Sequence, residues 1–417
     1  MIAETQRAIE TVWRMESARL IAGIARMVRD IGVAEELAQD ALVSALQQWP
    51  EEGIPHNPGA WLMAAAKFRA IDHLRRSKVA ERGYEQIGLA MEERERSVPD
   101  LAAMADDDIG DDLLRLIFTA CHPVLSAEAR VALTLRLLGG LTTQEVARAF
   151  LVPEATMAQR IVRAKRTLAE HRVPFEVPSG EEIGARLESV LEVIYLIFNE
   201  GYAAAAGDDW MRPALCEEAL RLGRVLAELA PGEAEVHGLV SLMEIQASRL
   251  RARKGGNGEP VLLLDQDRSR WDWLLVRRGL AALDRALRLG SARGTYVLQA
   301  SIAACHARAR VAEETDWKRI AELYAELVEL TGSPVVEMGR AMAVAKAYGA
   351  HEGLKIADGL MEEPSLRQSH RLPSVRGDLL FQMGRKDEAR REFARAAELA
   401  LNAAERSMLM KRMEECE

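Results

Sequence analysis

The chain has 417 residues, which is enough for two or three domains that each bury a core. Its net charge of −9 argues against indiscriminate binding to polyanions, and it has no uncharged apolar run of the roughly 18 residues that a membrane span requires. No basic segment leads into an apolar run at the N-terminus, so we expect a cytoplasmic protein that does not associate with membranes. The four cysteines lie far apart, which predicts reduced thiols and no metal site.

The composition predicts an all-α fold. Ala, Leu, Arg and Glu dominate, aromatic residues make up 5%, and apolar residues almost never alternate with polar ones. The apolar periodicity of the first half predicts helices near 10–29, 34–49, 58–78, 110–120, 126–138, 143–150 and 154–171. Proline, glycine and acidic residues predict breaks near 49–55, 97–110 and 173–180.

Charge is distributed unevenly along these elements. Residues 67–82 contain six basic and two acidic side chains, whereas residues 92–112 contain nine acidic and two basic ones. Residues 141–172 are basic again. Two basic segments separated by an acidic, solvated linker indicate local contact with a polyanion more specifically than a uniformly basic chain would.

The second basic segment is predicted to form a helix-turn-helix. Thr142 and Glu145 have the spacing of a capping box, and Leu141 and Val146 have that of a hydrophobic staple. Pro153 is predicted to begin the second helix, where its missing N–H is tolerated. One face of that helix is predicted to be buried and consists of Met157, Ile161, Ala164 and Leu168.

The opposite face of the same helix has the chemistry of a DNA-reading surface. Glutamine can pair with adenine, and arginine with guanine or a phosphate. The predicted DNA-binding residues are Thr156, Gln159, Arg160, Arg163 and Arg166.

Three stretches resemble extracytoplasmic-function (ECF) sigma factors. GLTTQEVA at 140–147 and VPEATMAQR at 152–160 resemble region 4, which reads the −35 promoter element. AEELAQDAL at 34–42 resembles the region 2 helix that docks on the clamp helices of RNA polymerase β′. PGAWL at 58–62 and AIDHLRR at 70–76 resemble the segment that melts and reads the −10 element. The resemblance implies two partners: promoter DNA, and core RNA polymerase contacted at the β′ clamp helices and the β flap.

The region 2 resemblance implies further site residues. For polymerase binding these are Glu36, Gln39 and Asp40. For the −10 element they are Lys67, Arg69, Arg75, Arg76 and Lys78. Apolar spacing predicts inward faces made of Leu37, Ala41, Ala45 and Trp49 in one helix and of Trp61, Ala65, Phe68 and Ile71 in the next.

After residue 180 the sequence predicts roughly ten more helices, interrupted by a loop at 254–260. Gly377, Leu380, Ala389, Phe393 and Ala396 have the spacing of a tetratricopeptide (TPR) helix pair with a turn at Gly384-Arg385, and 334–360 resembles this unit more loosely. The whole chain resembles the ECF subgroup with a TPR-like C-terminal extension, in which 198–202 and 265–272 look like signature stretches. Their Arg, Asp and Trp side chains could form either a buried ion network or a ligand pocket.

The predicted domains are therefore a region 2 bundle (1–80), an acidic linker (81–109), a region 4 helix-turn-helix (110–174) and a TPR-like extension (181–417). We expect a sigma factor that is regulated by its extension. We do not expect an enzyme or a cofactor, because the sequence has no phosphate-binding loop and no HExxH motif. Two alternatives stay open at this point. One is a helix-turn-helix regulator with a sensing repeat domain, and the other is a TPR-like scaffold.

Overall fold

The computed structural model describes residues 2–85, 109–150, 152–178, 182–203, 211–256, 260–290, 294–367, 369–400 and 403–416. The chain divides into two compact units, Met1–Ile194 and Tyr195–Glu417. All named elements in the described residues are helices. The β-structure of these residues consists of one isolated bridge between Lys254 and Pro260. The all-α prediction is therefore confirmed. Of the predicted acidic linker, residues 86–108 lie outside the described residues, whereas 81–85 and 109 belong to helices.

The first unit contains helices α1 to α7, in chain order Ile2–Val28, Ile31–Glu52, Pro58–Glu85, Ile109–Ala120, Ala127–Leu137, Thr143–Ala149 and Glu154–Glu170. Helix α8, Glu182–Tyr202, contains the division between the units. Helices α9 to α18 follow as Pro213–Leu229, Ala234–Ala247, Trp273–Arg288, Thr295–Arg308, Trp317–Thr331, Pro334–Tyr348, Ala350–Gly359, Arg371–Gln382, Lys386–Leu399 and Ala403–Glu414.

Helix α1 is the centre of the first bundle, because it packs against α2, α3 and α4. It buries Ile21 and Ile24 completely, as expected for a helix with neighbours on several sides. Asp30 ends the short connection to α2 and caps that helix, accepting hydrogen bonds from the backbone N–H groups of Gly32 (2.7 Å) and Val33 (3.0 Å).

Helix α2 buries its predicted inward face of Leu37, Ala41, Ala45 and Trp49. The predicted break at Trp49–Pro55 begins too early, because α2 continues through Pro50 to Glu52. Gly53 then ends the helix with a φ of +88°, a conformation that favours glycine.

The predicted inward face of α3 is wrong by one residue. The buried side chains are Leu62, Ala66 and Ala70, whereas Phe68 is 75% exposed and Trp61 is half-buried against Trp49. The alanine-rich run 64–66 permits more than one apolar stripe, and close packing against α1 and α2 is compatible with the stripe of smaller side chains.

In the second unit, successive helices pack on each other from α9 to α18. The predicted TPR-like pair is α16 and α17, in which Gly377, Leu380, Ala389, Phe393 and Ala396 are all buried. A Cβ atom at Gly377 would lie 2.7 Å from the Phe393 ring, so glycine permits the close helix approach. The looser repeat is the pair α14 and α15, joined at Gly349. This unit is therefore a helical domain in which each helix packs on the next along the chain.

Candidate nucleic-acid and polymerase interfaces

The helix-turn-helix is formed by α6 and α7, and its first helix begins with the predicted capping box. The Glu145 N–H donates to the Thr142 hydroxyl (3.1 Å), and the Thr142 N–H donates to the Glu145 carboxylate (2.8 Å). Val146 and Ala147 are buried beneath α7. Helix α7 begins one residue later than predicted, at Glu154. Pro153 occupies the N-cap position in front of it.

Helix α7 has two chemically opposite faces. Met157, Ile161, Ala164 and Leu168 are buried, as predicted. Of the five predicted DNA-binding side chains, Arg160 is half-buried, and the four exposed ones are Thr156, Gln159, Arg163 and Arg166. The helix therefore presents a row of amide, hydroxyl and guanidinium groups to solvent.

A groove of about 360 Å³ runs along this polar face. Four of the predicted DNA-binding residues, Thr156, Gln159, Arg160 and Arg163, line one side, and Ser126 at the start of α5 lines the other. Arg166 lies outside the groove and pairs with Glu170 (2.7 Å) one turn along the helix.

An acid of α5, Glu128, is influenced by two of the residues that line the groove, Ser126 and Arg160. The pKa of Glu128 is lowered, chiefly because its own backbone N–H and the Ser126 hydroxyl stabilise the carboxylate, with a smaller contribution from Arg160. The charge of Arg160 on α7 therefore helps to keep this acid ionised.

The predicted −10 residues lie along α3. Arg75 and Arg76 are exposed, and Arg76 pairs with Asp72 at 2.6 Å. Lys67 and Arg69 are half-buried, and Arg69 donates to the Ser44 hydroxyl of α2 at 2.6 Å. Lys78 belongs to α3, but its side chain is not among those that the structure describes.

The exposed ring of Phe68 was not anticipated. It lies on α3 between two of the predicted basic residues, Lys67 and Arg69. An aromatic ring in solvent beside cations is an arrangement on which an unpaired base can stack. The sequence analysis had assigned Phe68 to the buried face of this helix, so it did not predict an exposed ring.

The predicted polymerase surface lies on α2, where Glu36 and Asp40 are exposed. Gln39 is half-buried and donates from its amide nitrogen to the Glu35 carboxylate at 2.7 Å. The two exposed acids lie four residues apart on one face of the helix.

Glu35 connects the region 2 bundle to the helix-turn-helix. Its buried carboxylate accepts from Arg136 of α5 at 2.7 Å, and its other oxygen pairs with Lys165 of α7. A second pair, Arg14 with Glu145 at 2.6 Å, joins α1 to α6 but is exposed to solvent. We call Glu35, Arg136 and Lys165 the buried latch.

The sequence contained a signal for the buried latch. Glu35 comes four residues after Ile31 and three before Ala38, which are both buried, so it belongs to the apolar stripe of α2. A carboxylate on such a stripe requires a cationic partner. The sequence could not indicate which residues, separated by about a hundred positions, would provide it.

A basic cleft of about 640 Å³ lies beside the buried latch. Its lining includes Arg29 and Arg172, the two non-glycine residues with positive φ in the described part of the chain (56° and 50°). Arg26, Arg115 and Lys165 add positive charge to the same walls.

The signature stretch 265–272 of the second unit is held by hydrogen bonds from arginine to backbone carbonyl groups. Arg268 is buried and donates to the carbonyl oxygens of His306 (2.7 Å) and Ala309. Asp272 caps α11. Trp271 is buried with two guanidinium groups near its ring, those of Arg268 (5.0 Å) and Arg249 (5.8 Å). No carboxylate of the described residues pairs with Arg268, so the stretch is not an ion network.

All four cysteines are free thiols with raised pKa values. Burial raises the pKa of Cys121 to about 11 and that of Cys216 to about 12. Burial also raises the pKa of Cys305 and Cys416. Within the described residues, no group of three or more possible ligands could hold a metal ion. None of the described helices is long and apolar enough to cross a membrane.

Comparison with known families divides the chain into three parts. Residues 14–79 match Sigma-70 region 2, and residues 115–168 match Sigma-70 region 4. Residues 186–287 match a family of unknown function, DUF6596.

Relatives cover different shares of the chain. An uncharacterized protein of Rhizobium meliloti is 43% identical over 91% of this chain and 89% of its own. The probable ECF RNA polymerase sigma factor SigI of Mycobacterium tuberculosis is 28% identical over 45% of this chain and 67% of its own. The ECF sigma factor SigK of Mycobacterium bovis is 27% identical over 39% of this chain and 84% of its own. Among solved structures, yeast Tom70 aligns over all of this chain and 84% of its own, with a TM-score of 0.31 and 12% identity.

Region 2 and region 4 in one chain define a transcription initiation factor of the sigma-70 class. The chain belongs to the ECF sigma factors of that class, and it carries an additional C-terminal extension. This family consists of non-enzymatic factors that bind core RNA polymerase and promoter DNA to direct initiation. The match to region 2 disfavours both alternatives, the separate helix-turn-helix regulator and the repeat scaffold.

Proposed function

We propose that this sigma factor reads the −35 element with α7, opens and reads the −10 element with α3, and binds polymerase through α2. In this proposal the region 2 domain is 1–80, the linker 81–109, the region 4 domain 110–174 and the extension 181–417. Region 4 would bind the β flap, and α2 would bind the β′ clamp helices.

The observation that carries the proposal is the exposed polar face of α7, the second helix of a helix-turn-helix whose first helix, α6, begins with an intact capping box. Gln159 and Arg163 are one helical turn apart, which suits two side chains that reach neighbouring base edges in the major groove. Arg160 and Arg166 flank them, in positions suited to phosphate contacts.

For the −10 element the supporting feature is the combination of cations with an exposed ring on α3. Lys67, Arg69, Arg75, Arg76 and Lys78 would attract the phosphate backbone. Phe68 would stack on a base that leaves the duplex, which stabilises single-stranded DNA and favours strand opening.

For polymerase binding the supporting feature is the acidic, exposed pair Glu36 and Asp40, with Gln39 beside them. Two carboxylates on an ordered helix are a suitable partner for a basic surface. We further propose that the extension contacts the sigma regions or polymerase and regulates promoter binding. A helical-repeat extension of more than two hundred residues is suited to such protein contacts.

The test is reconstituted transcription with core polymerase and genomic promoter fragments, comparing the full chain with Asp40→Arg. Charge reversal at one member of the acidic pair should weaken core binding by at least about tenfold, because repulsion replaces attraction. Glu52→Arg is the matched control, since Glu52 is an exposed acid at the far end of the same helix and should leave binding unchanged. Equal core binding by Asp40→Arg and the unmodified chain would refute the proposed surface.

A further inference from the structure

The second unit contains a buried arginine without a counter-ion. Arg249 lies in the turn after α10 and is 5% exposed. Its Nε has no hydrogen-bond partner, and no carboxylate of the described residues lies within ion-pair distance of its guanidinium. A buried arginine charge normally requires a paired, hydrogen-bonded partner.

Other cations surround Arg249. Arg268 lies 5.0 Å from the centre of the Trp271 ring. It donates hydrogen bonds to the backbone carbonyl groups of His306 and Ala309 and to the Thr315 hydroxyl. Arg253 follows four residues later and stacks on the ring of Tyr202 at 3.6 Å. The pKa values of both Arg268 and Arg253 are lowered, first by burial and also by the charge of Arg249. The structure therefore concentrates positive charge in a desolvated place.

The Trp271 ring compensates this charge only in part. A ring face near two guanidinium groups stabilises their charge, but it does not accept the hydrogen bond that the Nε–H of Arg249 can donate. Two further buried polar atoms of the same cluster have no partner either, the Nε1 of Trp271 and the Nδ1 of His306. Burial, with the charges of Arg249 and Arg268, lowers the pKa of His306 to about 4, so its ring is neutral at pH 7.

We propose that Arg249, Arg268, Trp271 and His306 form a binding site for the oxyanion group, carboxylate or phosphate, of a small metabolite. An oxyanion supplies both missing quantities, a negative charge and several hydrogen-bond acceptors. Three separate segments contribute to the site: the turn after α10, the 3₁₀ helix Arg268–Arg270 with Trp271 behind it, and α12. The site therefore joins three segments of the second unit.

This inference goes beyond the proposed function, and its test needs neither DNA nor polymerase. Calorimetric titration of the full chain with inorganic phosphate and with acetate, at constant ionic strength set by chloride, would measure binding directly. We expect one oxyanion per chain. Binding of phosphate alone would assign a phosphoryl ligand, and binding of acetate alone a carboxylate ligand. No binding of either probe up to about 50 mM would overturn the proposal.

Arg249→Met removes the guanidinium while keeping a long apolar side chain, and should weaken oxyanion binding by at least about tenfold. Arg251→Met is the matched control, because Arg251 lies exposed in the same turn and should leave binding unchanged. Arg249→Lys keeps the charge without the planar donor group and should give an intermediate loss. Equal binding by Arg249→Met and the unmodified chain would contradict the site.

A second readout is the melting temperature without added oxyanion. Because Arg249→Met removes an uncompensated charge, its melting temperature should equal or exceed that of the unmodified chain, and it should no longer rise with phosphate or acetate. A clear fall in the melting temperature would mean that the Arg249 guanidinium already has a stabilising partner within the fold. That result would contradict the proposal even if the variant folds poorly.

Discussion

Single side chains on α7 divide into those that can distinguish bases and those that can only hold the backbone. Gln159 and Arg163 project from the middle of the exposed face and border the groove opposite Ser126. Arg166 is held by Glu170 near the end of the helix. The first two are therefore expected to determine sequence preference, and Arg160 and Arg166 to contribute charge.

Gln159→Ala and Arg163→Ala should each weaken holoenzyme binding to the preferred promoter by about 1–3 kcal/mol while changing binding to a scrambled −35 element much less. Arg160→Ala should weaken both to a similar degree and reduce the salt dependence. Fluorescence anisotropy with labelled promoter fragments measures each case. Val162→Ala, at a 62% exposed position on a different face, is the control. Equal losses on both fragments for Gln159→Ala would argue against base reading.

His306 gives a residue-level prediction about pH. Its pKa is about 4 in the folded chain because of burial and the nearby Arg249 and Arg268, compared with 6.5 for the exposed group. As the pH falls below 6.5, the unfolded chain binds the proton first, so the free energy of unfolding decreases until about pH 4.

Between pH 7 and pH 5 this residue should lower the free energy of unfolding by about 2 kcal/mol. His306→Phe should remove most of that decrease in urea unfolding experiments, whereas His351→Asn, at an exposed position, should retain it. If both variants keep the same pH dependence, His306 is not the group that titrates.

At the scale of elements, periodicity predicted α4, α5, α6 and α7 to within one or two residues, because each has a strong cap or one clear apolar stripe. It failed on α3, where several alanines leave the inward face undefined until neighbouring helices pack against it. It also ended α2 too early, because a proline in the last turn does not stop a helix whose earlier bonds are complete.

The candidate interfaces were predicted unequally for the same reason. The exposed face of α7 follows from the sequence, since four buried positions at regular spacing define what lies opposite them. Phe68 and the buried latch do not, because they depend on which surfaces of separate helices meet. Local patterns identify faces, while packing decides their neighbours.

The buried latch should hold α2 to α5 and α7. Glu35→Gln leaves Arg136 and Lys165 without a negative partner, and should lower the free energy of unfolding of the first unit by roughly 3 kcal/mol. It should also release Lys165 and the helix-turn-helix from α2. Arg14→Ala, which removes the exposed pair with Glu145, should cost less than about 0.5 kcal/mol. Urea unfolding and hydrogen exchange of α7 measure the two effects.

Similar losses for both variants would mean that burial does not strengthen the Glu35 contacts. Unchanged exchange in α7 after Glu35→Gln would show that other contacts hold the helix-turn-helix in place. Either result would assign the cohesion of the unit to its apolar core instead of the buried latch.

At the scale of the whole molecule, the first compact unit extends to Ile194, beyond the sequence break near Pro178. The first half of α8 belongs to it through three contacts: Arg186 donates to the Phe118 carbonyl, Ser189 donates to the Cys121 carbonyl, and Glu192 pairs with Arg130. A truncation at 178 therefore removes part of the first compact unit as well as all of the second.

A chain ending at Ile194 should fold more stably than one ending at Pro178, by about 3 kcal/mol if each lost contact contributes about 1 kcal/mol. If the extension regulates initiation, promoter-directed transcription by the longer truncation should differ from that of the full chain by about fivefold or more. Run-off transcription and holoenzyme affinity measure this difference. Equal values for the full chain and the Ile194 truncation would refute regulation by the extension.

The chemistry of the cysteines makes the chain suitable for site-specific labelling. Maleimides react with thiolates, and the raised pKa values of Cys121, Cys216, Cys305 and Cys416 keep these groups protonated at neutral pH. A single introduced thiol, as in Val162→Cys, should therefore take up a fluorophore selectively, without first removing the native cysteines. Fluorophores attached in this way would report distances within a working initiation complex.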